Sequence, residues 1–596
     1  MGNTAYKTSI GGAIFISVDY SVTPAPFEMY RIVNQTSGGI INIQHSQGFN
    51  VQYDTLAVAS LDITGYKGNE YGRLLNNDIT GNLTTSDDPS YAGGFITYIR
   101  NNVITGNSSF SNNGTNVFFE GDVAGTGNQY IGNVTFNAAG GAMYIAHGAP
   151  LQCSGNLAII RSAAGHTQAF NSGADIGGNF AFTHNSSGNT YLGNLAYKTY
   201  IEGSINIACD YTTAGVFEMY RLVNQANGGS IHIQNPYGFN MYNDTLAISL
   251  FSITGYQGNQ NAALVNNTIN GDVLLVSDPG YTGGFGTYIR SNVITGNSIF
   301  TSNGANNFFE GDEVSAGNRY NGNVTFNAAG GPIYIAQLSP LHCTGNLTIN
   351  RTAEGHTQAF NHGSVIGGNF TFTNNTAGNT YLGHVDYSTS IAGTINIACN
   401  YTTPGAFAMY RIINQANGGN ILIQHSYGFD VLNDTLVVGS LDITGYRGNQ
   451  YGRLLNNQIT GDVTTADDVS YGAGFYTYIR NNLINGNSSF SNNGTNTFLE
   501  GDEAGTGNQY NGNVTFTANG GPVYIANGTL LQCSGNLDII RTAAGHTQAF
   551  NRGAVIGGNF SFTGNVTCNT YLGNPDYRTA VAGTVNIVCN NTTPGA

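Results

Sequence analysis

GNVTFNAAGG at 132–141, GNLAIIRSAAG at 155–165 and GNFAFTHNSSG at 178–188 follow one another at a spacing of 23 residues. Each opens on Gly-Asn and enters a short segment in which every second side chain is apolar: Val134/Phe136, Leu157/Ile159, Phe180/Phe182. That alternation places one face of a strand in a core and the other outside it. The period is about half that of a propeller blade, which needs roughly 40–50 residues. It is also too regular over too many turns for an antiparallel sandwich. It matches the coil length of a parallel β-helix.

The same frame extends in both directions. Small anchor residues stand at Gly12, Gly39, Ala59, Gly81, Gly106, Gly132, Gly155 and Gly178, and Gly203 reopens the series, which reaches Gly393. Apolar pairs follow them, as at Ile41/Ile43, Leu61/Ile63 and Ile205/Ile207, with Asn42, Asp62, Thr135 or Asn206 between. Eight coils, averaging about 24 residues, compose a unit of about 190 residues. RSAAGHTQAF at 161–170 returns as RTAEGHTQAF at 351–360 and RTAAGHTQAF at 541–550. The expected organisation is the end of a preceding repeat at 1–11, repeats at 12–202, 203–392 and 393–582, and the start of another at 583–596. MGNTAYKT at 1–8 aligns with LGNLAYKT at 192–199, and the closing NNTTPGA stops in mid-repeat, so a segment of a longer repeat protein is expected. Anchors Gly81, Gly106, Gly132, Gly155 and Gly178 are expected at corners with positive φ. Asn82, Asn107, Asn133, Asn156 and Asn179 are expected to stack as an amide ladder.

Composition narrows the function classes. Of 596 residues, 9% are charged, Gly numbers 84 and Trp is absent, while 40% apolar residues suffice for a core. A net charge of −15 with 18 basic residues argues against nucleic acid or an anionic membrane as partner. No run of apolar residues is long enough to span a bilayer. Such a chain reads as an extracellular, secreted all-β protein that needs no cofactor.

Chemistry-bearing residues recur with the repeat. Six cysteines form three sets, Cys153/Cys209, Cys343/Cys399 and Cys533/Cys589, and read as buried thiols too far apart to pair. Cys568 replaces a glycine one coil before Cys589, so that single pairing stays open. His166, five residues after Arg161, has no nucleophile or carboxylate in its motif and reads as a structural hydrogen-bonding group. Carboxylates offer the enzymatic and calcium alternatives: Asp88 with Glu120 and Asp122, then Glu310 and Asp312, then Glu500 and Asp502. Glu120 and Asp122, two apart, are expected on one face beside a glycine turn. Strand-borne Arg31, Arg100 and Arg161 are the expected neutralising partners. An enzyme needs one site where this chain has three near-equivalent copies, so no catalysis is expected.

With its long near-identical units, few lysines and no tryptophan, the chain resembles the parallel β-helix repeats of giant secreted adhesins and surface filaments of gliding Bacteroidota. It is similar in style to proteins that build extracellular grappling-hook filaments. That resemblance implies export to the cell surface, side-by-side assembly of several copies, and adhesion or prey capture. The expected function is a shaft or spacer whose partners are copies of itself, with surface glycans or structures of another cell as a second class. A polysaccharide-binding or polysaccharide-degrading β-helix and a viral tail fibre are the alternatives.

Overall fold

The computed structural model describes the chain except residues 69–70, 214, 259–261, 404, 449–450, 473, 565 and 591–596. Among the described residues there is no helix, and the fold is a parallel β-solenoid of about 25 turns of roughly 23 residues. It divides into two compact units, Met1–Tyr288 with Asn292–Asn297, and Ile289–Ser291 with Ser298 onward.

Each turn carries three strands, and each strand pairs in parallel with its equivalent one turn later. In the first unit one turn is Val134–Ala138, Met143–Ile145 and Leu151–Cys153; the next is Leu157–Arg161, Thr167–Ala169 and Ala174–Ile176. Their register sets Val134 beside Leu157, Met143 beside Thr167 and Leu151 beside Ala174. The second unit repeats the plan, with Val514 beside Leu537 and Leu531 beside Ala554. Backbone groups thus find their partners in adjacent turns.

The alternating apolar residues point inward as the period requires. Ile41, Ile43, Leu61, Ile63, Phe136, Ile159 and Phe180 are fully buried. Equivalent side chains stack directly: Phe110 lies on Phe136 at a centroid distance of 5.2 Å, and Phe490 on Phe516 at 5.3 Å. The intervening Thr135 and Asn42 face outward, half-buried by their neighbours in adjacent turns.

The anchor glycines correct one expectation. None of Gly81, Gly106, Gly132, Gly155 or Gly178 has φ in the left-handed region. They form a column in which backbones nearly touch: a Cβ on Gly106, Gly132, Gly155 or Gly178 would sit 2.5–2.6 Å from the backbone of the preceding anchor. The positive φ values fall elsewhere, on other glycines such as Gly65 and Gly121 and on non-glycine corner residues such as Arg31, Tyr53, Asn76 and Asn101. Arg31 is therefore a corner residue between strands Phe27–Tyr30 and Ile32–Asn34, not a strand residue.

This column makes a direct prediction. Gly155→Ala should destabilise its unit by about 1–3 kcal/mol, as overpacking against rigid backbone does. Gly12→Ala, where no heavy atom lies within 4 Å, should be neutral. Urea midpoints of the two variants check this.

Candidate functional site

The polar residues of the solenoid sort into an outer relay, an inner relay, a set of caged arginines and an outward aromatic stripe. The outer relay follows the anchors. Asn107 N–H donates to Asn82 Oδ1 at 2.9 Å, Asn133 N–H to Asn107, Asn156 N–H to Asn133, and Asn179 N–H to Asn156 at 2.8 Å. Each side-chain oxygen thus accepts from the main chain of the following turn, so the stack is a side-chain-to-backbone relay.

A second relay, with no counterpart among the sequence expectations, lies inside the coil. Ile32 N–H donates to Asp54 Oδ1, and Asp54 N–H donates to Asn77 Oδ1 at 2.9 Å. Both N–H groups of Asn77, backbone and side chain, reach Asn102 Oδ1, and both of Asn102 reach Asn128 Oδ1, all within 2.8–3.0 Å. Asn128 Nδ2 then donates to Glu120 Oε1 at 2.5 Å, and Ala146 N–H closes the chain on Glu120 Oε2 at 2.6 Å. All of these side chains are buried. The second unit repeats the whole series through Asp434, Asn457, Asn482, Asn508 and Glu500. The available signal was the doubled Asn76-Asn77 and Asn101-Asn102. The first of each pair takes the left-handed turn that Asn tolerates, and the second is swung into the core.

Burial dominates the electrostatics of the relay's ends. Loss of solvent raises Glu120 from its ordinary 4.5 to about 7, against the opposing hydrogen bonds of Asn128 and Ala146. Glu310 and Glu500 are raised to about 7 in the same way. Asp54 rises to about 7, again from burial, and its Oδ2 accepts no hydrogen bond.

The three first-repeat carboxylates expected to share a face are separated. Glu120 points into the core, whereas Asp122 faces outward and grips Arg100 through two bonds, Nε–Oδ1 at 2.5 Å and Nη2–Oδ2 at 2.6 Å. Gly121 between them has φ of 63° and turns the corner, which breaks the two-residue alternation. Arg290–Asp312 and Arg480–Asp502 repeat the bidentate pair. Asp88 instead meets Lys67 Nζ at 3.1 Å and accepts from Ser90. No cluster of three acidic, histidine or cysteine ligands that could hold a metal occurs among the described residues.

Two arginines depart from the expected charge pairing. Arg31 Nε donates to the Thr4 carbonyl at 2.7 Å, and its guanidinium lies over Tyr53. Arg161 is fully buried with no carboxylate in its cage: Nε donates to Thr167 Oγ1, Nη1 to the carbonyls of Gly140 and Ala163, and Nη2 to those of Gly141 and His166. Burial lowers it to about 10. Arg351 and Arg541 occupy equivalent cages. His166 contributes its main-chain carbonyl to this cage, while its ring packs outward between Tyr144 and Tyr191 at 5.4 and 5.1 Å. Cys153, Cys209, Cys343, Cys399 and Cys533 are free and buried, and burial pushes the Cys153 thiol up to about 11. Cys589 is free and exposed; the side chain of Cys568 lies outside the described residues.

The outward face of the second strands carries the stripe. In the first unit Tyr98 stacks on Phe119 at 5.9 Å and Phe119 on Tyr144 at 4.8 Å, and His166 and Tyr191 continue the row. Within the second unit Phe309, Tyr334, His356 and Tyr381 form one row. Tyr524, His546 and Tyr571 form another, where Leu499 stands in the place of the phenylalanine.

Two outcomes are expected from the relay. Asn102→Leu should cost more than about 1–3 kcal/mol, because it orphans the buried N–H of Asn77; loss of amide protection there reports it. A carboxyl raised above its unfolded value binds more protons when folded, so these glutamates make stability fall as pH rises from 4.5 to about 7. Replacing Glu120, Glu310 and Glu500 together by Gln should flatten that fall, measured as urea midpoints across the window. No protein-family profile, curated protein or solved structure matches this chain.

Proposed function

We propose that the chain is a non-catalytic shaft segment of an extracellular fibre or adhesin, in which copies pack side by side and serve attachment or prey capture. The observation that carries this reading is the outward aromatic stripe. Half-buried rings of Tyr144 and His166, Tyr334 and His356, and Tyr524 and His546 recur at the repeat interval, on or beside the second strands of each unit. Aromatic rings combine large apolar area with little side-chain entropy to lose, which suits a contact surface. A contact repeated in every unit gains avidity without new chemistry. The low charge density opposes such packing little.

Stacked parallel strands, a ring-filled core and polar relays that run from turn to turn suit a load-bearing element, since stability then sums over neighbouring turns. Length is set by the number of units, as a spacer requires.

Sedimentation velocity and electron microscopy of the chain test the reading. Lateral bundles with contacts recurring once per 190-residue unit are expected. The variant Tyr144→Ser, Tyr334→Ser and Tyr524→Ser should dissociate them while the fold survives. A chain monodisperse at every concentration, or bundles indifferent to the variant, would sink it.

A further inference from the structure

An open groove of about 790 Å3 lies in the first unit, on the outward side of the third strands. It follows four successive turns, Gln129–Tyr130, Leu151–Cys153, Ala174–Ile176 and Thr199–Ile201. Register places Gln129, Gln152, Asp175 and Tyr200 in one outward column, each beside the next. Glu202 follows Tyr200 on the same side, and exposed Ile131 forms part of the wall. Tyr200 is 43% exposed, with Lys198 Nζ 5.9 Å from its ring. Among the described residues neither Asp175 nor Glu202 takes part in an ion pair.

This lining is not demanded by the fold. The second repeat carries Val365, Ser390 and Ala392 at the positions of Asp175, Tyr200 and Glu202, and the third carries Val555, Ala580 and Ala582. Val365 and Val555 are each half exposed there, in strands of the same register. The residues of the inner relay, of the caged arginine and of the Arg–Asp pair recur in all three repeats, while the groove's two carboxylates and its tyrosine occur once. The threefold equivalence that argues against a dedicated site therefore does not extend to this groove.

We propose that the groove of the first repeat binds an uncharged oligosaccharide. A hexose presents hydroxyl groups along its edges and an apolar C–H face. The edges can donate to Asp175 and Glu202 and exchange hydrogen bonds with Gln129 and Gln152, and the faces can lie against Tyr200 and Ile131. Turns repeat every ~4.8 Å, close to the length of one hexose unit, so successive sugars meet successive rows of the column. The two unpaired carboxylates on a chain of net charge −15 disfavour a uronate or sulfated chain. This site is independent of the shaft reading and stands or falls without it.

Isothermal titration of the whole chain with mannotetraose and cellotetraose tests it, with a tetragalacturonate fragment and an oligolysine peptide as comparators. At least one neutral tetrasaccharide should bind saturably at one site per chain, and the galacturonate should not. The triple variant D175V/Y200S/E202A should weaken binding by at least about tenfold, the effect of losing charge-assisted hydrogen bonds. Its melting should be unchanged, since the second repeat already folds with those residues. The reciprocal V365D/S390Y/A392E should create a second, weaker site. Absence of binding by both neutral sugars, equal binding by D175V/Y200S/E202A, or binding of oligolysine in place of the sugars would overturn the proposal.

Discussion

Parallel stacking at one backbone spacing imposes a single constraint on every inward side chain: apart from nearby residues in its own turn, its partners are its counterparts in the turns before and after. An apolar residue meets this constraint easily, because like stacks on like, as Phe110 does on Phe136. A polar residue meets it only if donors and acceptors alternate along the stack, since an unpaired buried group is costly. Asparagine, with the shorter of the two amide side chains, carries both in one planar group. The run from Asn77 through Asn102 to Asn128 is the consequence, each amide donating one way and accepting the other.

Such a relay must end somewhere, and its ends are where the acidic residues lie. At one end Glu120 receives two N–H donors; at the other Asp54 receives the N–H of Ile32 while its second oxygen accepts nothing. Their carboxyls are displaced toward the neutral form by loss of solvent, which outweighs the hydrogen bonds that favour the charged form. Arg161 solves the converse problem with carbonyls and a hydroxyl, so a cation is buried without a counter-ion. Charges that do pair, as in Arg100–Asp122, do so on the outer face, where desolvation costs less.

The inner and outer faces consequently differ in what a substitution disturbs. A change inside alters a column that runs through several turns, and the three repeats carry the same relay and cage residues. A change outside alters one row. The substitution of Leu499 for Phe119 or Phe309 within the stripe, and of Val365 or Val555 for Asp175 in the groove, are changes of that second kind. Function that differs between repeats must therefore be sought on the outside.

Fold class, coil length and the inward apolar column were legible because period-two alternation and a regular glycine spacing are properties of the chain read in one dimension. The need for glycine at 106, 132 and 155 was legible as well, but its reason was not: closeness between successive anchors is a distance across turns, not a torsion along the chain. The inner relay has no local signature, because its members lie 23–26 residues apart and are polar, where sequence patterning expects apolar residues. Two-residue alternation alone places Glu120 and Asp122 on one face, and the positive φ of Gly121 between them ends that alternation. Along the chain, then, the sequence by itself determined what repeats. Which residues meet, which charges are neutralised and where one repeat opens a groove were decided only when the turns closed on one another, because those are contacts between distant residues that no local pattern encodes.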